Sequence, residues 1–298
     1  MKTALSPKEL GAAIGVSESS LKRWADSGRL NVARTAGGHR RIHLAEAIRF
    51  IRESGFSVNR PDILGLEDVE LIERAGVRDD PAEEFHQALL KGQSEWARGF
   101  VLAQFLEGNS LARIVDQTIA PAMRRIGELW QHDADGIFVE HRAAEICNQA
   151  LNRVRSLVAT DDVRPVAIGG APEDDPYTLP SLMASAVLAA EGWSDVNLGA
   201  HTPTRVLARA ARDCGASMVW FALSLERPGT RNADIVRALL RELESAGCRA
   251  VVAVGGPAVT ARPMPAMEGA YHAGSMTALS AFARGTRSAA AAETGPPS

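Results

Sequence analysis

The chain has 298 residues, 46% of them apolar, with a formal net charge of −3 at neutral pH. That length suits about two or three domains, and with no apolar run long enough to span a bilayer and no apolar stretch in MKTALSPKELGAAIGVSESS, it argues against transmembrane and secreted classes. The three cysteines, Cys147, Cys214 and Cys248, form neither a CxxC pair nor a regular framework, which speaks against a zinc site and fits a cytoplasmic protein.

Charge is unevenly spread. Residues 1–60 hold eleven Lys and Arg against five Asp and Glu, a balance of +6, so the remainder carries −9. A basic head on an acidic body is the pattern of a nucleic-acid-binding module attached to something else. In chain order, Ser6-Pro7-Lys8-Glu9 reads as a helix start, with Leu10, Ala13 and Ile14 on one apolar face. Gly15-Val16-Ser17 breaks that helix, and Ser17 with Ser20 starts a second through Leu21 and Trp24. Two short helices about a three-residue turn make a helix–turn–helix. The second helix offers Ser19, Ser20, Lys22 and Arg23 to phosphates and base edges.

Arg34-Thr35-Ala36-Gly37-Gly38-His39-Arg40-Arg41-Ile42 then reads as a glycine-tipped, cationic hairpin, a wing, followed by a helix from Leu44 to Arg52. Together, LGAAIGVSESSLKRWADSGRL and RTAGGHRRI resemble the winged helix–turn–helix of the MerR family, over nearly all of residues 3–54. The resemblance implies sequence-specific binding to a double-stranded DNA operator, normally as a dimer on a near-palindrome. It implies DNA contacts from Ser17, Ser19, Ser20, Lys22, Arg23, Arg34, Thr35, Gly38, His39, Arg40 and Arg41. The coiled coil that follows in familiar members is absent. Residues 57–80 carry prolines, glycines and no sustained heptad, and read as a linker with one short helical turn.

From Pro81 the periodicity is helical in four segments, Pro81 to Leu90, Glu95 to Leu106, Leu111 to Trp130 and Phe138 to Val158, which predicts a four-helix bundle over 81–160. Pro121 should bend the third segment. Beyond it, short apolar strands alternate with helices, which predicts a doubly wound, Rossmann-like parallel-sheet domain over 163–290. Its strands are expected at Pro165 to Ile168, Val196 to Leu198, Ser217 to Ala222, Arg249 to Val254 and Gly269 to His272. Residues 291–298 read as a disordered tail. The predicted fold class is multidomain: winged helix–turn–helix head, four-helix bundle, α/β doubly wound domain.

This order of bundle and sheet resembles the cobalamin-binding module shared by methyltransferases and light-sensing repressors of the CarH type, which also place it behind a MerR-like head. Their bundle carries a tryptophan, nine residues, then Glu-His, and Trp130 here is followed after nine residues by Glu140-His141. The resemblance implies that Trp130, Glu140 and His141 face the upper side of a bound tetrapyrrole. It also implies that Ser224, Gly255 and Gly256 lie along a nucleotide tail. His132 is a further candidate contact; His86, His201 and His272 rank below His141. Cys147, on the Glu140 face of its helix, reads as a buried structural thiol.

The family's Asp-x-His-x-x-Gly, whose histidine ligates cobalt, corresponds to Asp175-Pro176-Tyr177-Thr178-Leu179-Pro180. Tyrosine replaces the ligand and proline the glycine, so histidine-ligated cobalamin is not expected. Three readings stay open: another tetrapyrrole, a bilin such as biliverdin or a heme, with Tyr177 beside it; cobalamin without a protein ligand below; or no ligand, with control by a protein antirepressor. The expectation is a non-enzymatic, chromophore- or light-sensing regulator, acting as a repressor and forming a dimer or higher homo-oligomer through its C-terminal module. A corrinoid methyl carrier is the enzymatic alternative, which the basic head and Tyr177 oppose.

Overall fold

The computed structural model describes residues 3–73, 80–130, 135–158, 164–227 and 231–293, and the chain divides into two compact units, 1–160 and 161–298. The basic head and the bundle share the first.

The first unit opens with β1 (Ala4–Leu5), α1 (Pro7–Ile14) and α2 (Glu18–Asp26). Ser6 and Glu9 form a reciprocal capping box around Pro7, and Gly15 ends α1 in the left-handed conformation, so each boundary of α1 is set by local chemistry. Ser17 caps α2 through the Ser20 N–H at 3.2 Å. A Cβ on Gly11 would come within 2.6 Å of Val16 O, so only glycine lets the turn fold back on α1. β2 (Ala33–Arg34) and β3 (Arg40–His43) make a hairpin, and β3 pairs on its other edge with β1, all antiparallel. α3 (Leu44–Ser54) closes this core with Ile48, Phe50 and Ile51.

Within 57–80 the described residues form two helices, α4 (Pro61–Leu64) and α5 (Glu67–Glu73), where the sequence suggested a linker with one turn. They are packed elements: Leu64, Leu66, Val69 and Ile72 are buried, and a Cβ at Gly99 would strike the Asp68 backbone, so that glycine admits α5 against the bundle. The Arg153 Nη2 donates to Gly65 O at 2.8 Å from the far side.

The bundle consists of α6 (Pro81–Lys91), α7 (Ser94–Leu106), α8 (Leu111–Ile114) continuing through a π-helical stretch, Val115–Ile119, into α9 (Ala120–Trp130), and α10 (Asp135–Arg155). The irregularity expected at Pro121 is this π stretch, which lies just before it, where a proline ring crowds the preceding turn. Phe85, Phe100, Ile119, Ile146 and Leu151 fill the core.

The second unit is a five-stranded parallel sheet of β4 (Val166–Gly170), β5 (Ser194–Asn197), β6 (Met218–Ala222), β7 (Val251–Gly255) and β8 (Ala270–Ala273) in the order β5-β4-β6-β7-β8. Crossover helices are α11 (Leu179–Ala190), α12 (Thr204–Asp213), α13 (Arg231–Ser245) and α14 (Pro257–Ala261), with α15 (Met276–Glu293) last. Alternate strand residues feed two cores: Ile168, Val219, Phe221, Val252 and Val254 on one face, Ala167, Met218, Trp220 and Ala253 on the other. The strand order reverses between β4 and β6, so the loops leaving those two strands border the crevice where such sheets take ligands. Helix α15 runs to Glu293, three residues into the stretch read as a disordered tail; 294–298 lie outside the described residues. Among the described residues no helix is long and apolar enough to cross a membrane.

Candidate functional site

The head sorts its cations into two groups. Arg29 lies over the Trp24 ring, and Arg49 is tied to Glu46 and Glu53, with the Glu46 hydrogen bond raising the Arg49 pKa above its ordinary value. Arg40 is likewise engaged: its guanidinium donates to Asp26 at 2.5 Å and to Lys22 O at 3.0 Å, which braces the hairpin on the end of α2. Of the candidate DNA contacts, Arg40 is therefore a brace before it is a phosphate ligand. Lys22 pairs with Glu18 at 2.7 Å and holds that carboxyl below the usual carboxylate range. Arg23, Arg34 and Arg41 are exposed, and among the described residues no carboxylate pairs with them.

The polar candidates shape the same surface. Ser17 Oγ lies 2.9 Å from both Ser19 Oγ and Ser20 Oγ. Thr35 Oγ1 accepts from the His39 N–H at 3.2 Å, and Gly38 turns the tip with φ of 77°. Ser19, Thr35, Gly38 and His39 are all exposed. A residue that the sequence did not single out ties the head down. Arg52, from α3, donates to Phe105 O and, at 3.2 Å, to Asn109 O, with its guanidinium carbon 3.5 Å from the Phe105 ring centre. Burial pushes its pKa down to about 10. The cation meets the carbonyl end of α7, where the helix dipole favours positive charge.

In the bundle, Trp130 closes α9. Its side chain, and His132 altogether, lie outside the described residues. Glu140 and His141 fall in the second turn of α10, 3.7 Å apart between Oε2 and Nε2. The His141 side chain is 75% exposed, and nearby Phe138 is 64% exposed with Arg142 over its ring at 5.0 Å. Cys147 is fully buried, and burial drives its thiol far above the usual range, so it is an inert packing group. His86 is buried with Nδ1 unpartnered.

In the sheet unit, Asp175 is wholly buried. Its Oδ2 accepts from the Ser224 N–H at 2.6 Å and the Leu225 N–H at 3.3 Å, and its Oδ1 from the Tyr177 N–H at 3.2 Å. This carboxylate pins the loop after β4 to the loop after β6, across the switch point. Tyr177 is 39% exposed. Pro180 is the second residue of α11, where a missing N–H costs nothing. Of the low-ranked histidines, His201 sits at φ 51° with Nδ1 2.7 Å from Glu173 O, and His272 Nε2 is buried without a partner.

The small residues assigned to a nucleotide tail have a nearer cause. A Cβ on Gly256, at φ 114°, would lie 2.9 Å from Leu223 N, and one on Gly255 2.9 Å from Ala273 O. Both glycines are required by neighbouring backbone. Ser224 differs, since its Oγ is buried with no partner. These loops do not fit a histidine-ligated corrinoid: residue 177 has no imidazole, and the Asp175 carboxylate that would support one is spent on three amides. Among the described residues no cluster of three or more His, Cys, Asp or Glu side chains could hold a metal ion.

Residues 81–155 match the family model described as the B12 binding domain. No curated protein matches the chain significantly. Among solved structures, it is similar to a monomethylamine corrinoid protein of Methanosarcina barkeri at 15% identity, covering 68% of this chain and 96% of that one with a TM-score of 0.48. A cobalamin-binding protein from Desulfitobacterium hafniense DCB-2 is 16% identical, with coverages of 70% and 96% and a TM-score of 0.32. The methanol:cobalamin methyltransferase complex MtaBC from Methanosarcina barkeri is 15% identical, with coverages of 93% and 92% and a TM-score of 0.36.

Proposed function

We propose that the chain is a DNA-binding transcriptional regulator, a cytoplasmic repressor acting as a dimer or higher homo-oligomer, whose C-terminal part senses a tetrapyrrole. The observation that carries the reading is the fixing of the basic head to the bundle that matches the B12 binding domain. Arg52 meets the carbonyl end of α7, and α5 lies on α7 at Gly99. A change in the bundle would then reach the head through these packed contacts. Arg23, Arg34 and Arg41 supply unpaired charge for the phosphates, and the hairpin acts as the wing.

The family match makes a corrinoid the first ligand to test, ahead of the bilin or heme that the sequence reading put first. Trp130, Glu140 and His141 are its proposed contacts in the bundle; bound there, it would supply a coloured, light-responsive group. Tyr177 in place of the histidine favours a second reading, a heme or bilin held without cobalt chemistry. The deciding experiment reconstitutes the full-length protein with hydroxocobalamin, hemin and biliverdin in turn. It records absorption and operator binding, in the dark and after illumination. One ligand should bind stoichiometrically and change operator affinity. If all three fail to bind while the operator is still recognised, control by a protein antirepressor replaces the sensor reading.

A further inference from the structure

A buried cation in the sheet unit has no counter-charge among the described residues. After β6 the chain runs Leu223-Ser224-Leu225-Glu226-Arg227, and Arg227 is only 7% exposed. Its Nη1 donates to Leu225 O at 3.4 Å and to Asn232 Oδ1 at 3.1 Å, both neutral acceptors, while Nη2 is buried with no partner. Among the described residues no carboxylate pairs with it. Asp175 is committed to its three amides, Asp234 pairs with Arg237 at 2.6 Å on the surface, and Glu226 is exposed.

Three unfavourable effects coincide there. A buried charge without a counter-charge is costly. A buried N–H without an acceptor is costly as well. Asn232 is moreover the second residue of α13, so the guanidinium stands beside the first turn of a 15-residue helix, whose dipole repels a cation. A single oxyanion would remove all three. Ser224, in the same loop, adds a buried hydroxyl that is also without a partner.

We infer that Arg227 and Ser224 form an oxyanion-binding site, and that the group they receive belongs to the ligand. The second half of this inference rests on the tetrapyrrole reading above. A planar guanidinium edge suits a carboxylate or a phosphate, and the candidate ligands differ in which they bring. Heme and bilins carry propionate carboxylates. A corrin ring carries neutral amides, and the oxyanion of cobalamin is the phosphodiester of its nucleotide tail.

The test begins with inorganic phosphate and the full-length chain. Thermal unfolding in sodium phosphate is compared with sodium chloride at equal ionic strength, for the wild type, Arg227→Gln and Ser224→Ala. Phosphate should raise the Tm of the wild type, raise that of Ser224→Ala less, and leave Arg227→Gln unmoved. In chloride alone Arg227→Gln should be at least as stable as the wild type, because it removes an uncompensated buried charge; an arginine with a packing role would give a clear loss. Equal phosphate shifts in wild type and Arg227→Gln, or no shift in either, overturn the site.

Two ligand pairs then identify the source: biliverdin against its dimethyl ester, and cobalamin against cobinamide, which lacks the nucleotide and its phosphate. Arg227→Gln should weaken the oxyanion-bearing member of one pair by about tenfold, as expected for a lost charge-assisted bond, and leave its partner unchanged. A phosphate effect through Arg227 with no tetrapyrrole bound would keep the site and remove the tetrapyrrole reading. Tetrapyrrole binding indifferent to Arg227→Gln, without a phosphate effect, would do the reverse.

Discussion

The second turn of α10 and the loops after β4, β6 and β7 both carry residues that the sequence resemblance assigns to a cobalamin-type motif, and they hold them for opposite reasons. In the sheet unit the assigned residues are used by the fold: Asp175 is buried on three backbone amides, and Gly255 and Gly256, after β7, lie where a side chain would meet backbone. On α10 the assigned His141 is exposed, beside a Phe138 whose ring Arg142 covers in part, and packing among the described residues gives no account of the imidazole. A motif residue that the scaffold requires says little about a ligand. One that the scaffold does not require is better evidence of a use.

Substitution should separate the two classes. The largest effect is expected at Gly256, where any side chain forces a backbone at φ 114° to give way against Leu223. Gly256→Ala should cost on the order of 3 kcal/mol and lower the Tm with no ligand present. An unchanged melt combined with lost ligand binding would return this glycine to the ligand. Asp175→Ala comes next, since it leaves the amides of Ser224, Leu225 and Tyr177 without their acceptor, a loss of about 2 kcal/mol by urea titration. Retained stability would mean that water replaces the carboxylate and that the loop pinning is incidental.

The same division explains what could be read from the sequence. Element order and type were legible where period and caps agree, as in the capping box of α1. Strand β5 begins at Ser194 rather than Val196 because polar Ser194 and Asp195 do not look like strand, yet Asp195 accepts a hydrogen bond from the Ser185 hydroxyl. Residues 57–80 read as a linker because their prolines and glycines are local signals, whereas the glycine that seats α5 lies on another helix. Arg40 and Arg41 are adjacent and identical in type, and only the fold brings Asp26 to the first of them. Arg227 carried no signal at all, since the absence of a counter-charge is a property of the packed chain.

Within the head, Arg40 and Arg41 put the comparison on neighbouring residues. Arg40→Ala should lower stability by about 1 kcal/mol, because the pair it breaks is only partly shielded. Arg41→Ala should leave the melt unchanged and reduce the salt slope of operator binding by about one, the signature of a single lost phosphate contact. Equal melts and equal slopes for the two variants would erase the distinction between brace and contact.

The most informative of the small effects on stability is expected at His141. Its side chain is three-quarters exposed, and its Nε2 lies 3.7 Å from Glu140 Oε2, too far for a hydrogen bond of useful strength. Removing the imidazole therefore deletes little that the folded state uses, and His141→Ala should melt within about 0.5 kcal/mol of the wild type. Glu140→Gln should be as mild. The consequence should appear only with ligand: if the imidazole meets the polar edge or metal of a bound tetrapyrrole, His141→Ala shifts the absorption band or its response to light while Gly256→Ala, where it still folds, does not. Stability loss at His141 comparable to that at Asp175 would show that α10 needs this residue, and the α10 motif would then carry no more functional weight than the glycines of the sheet.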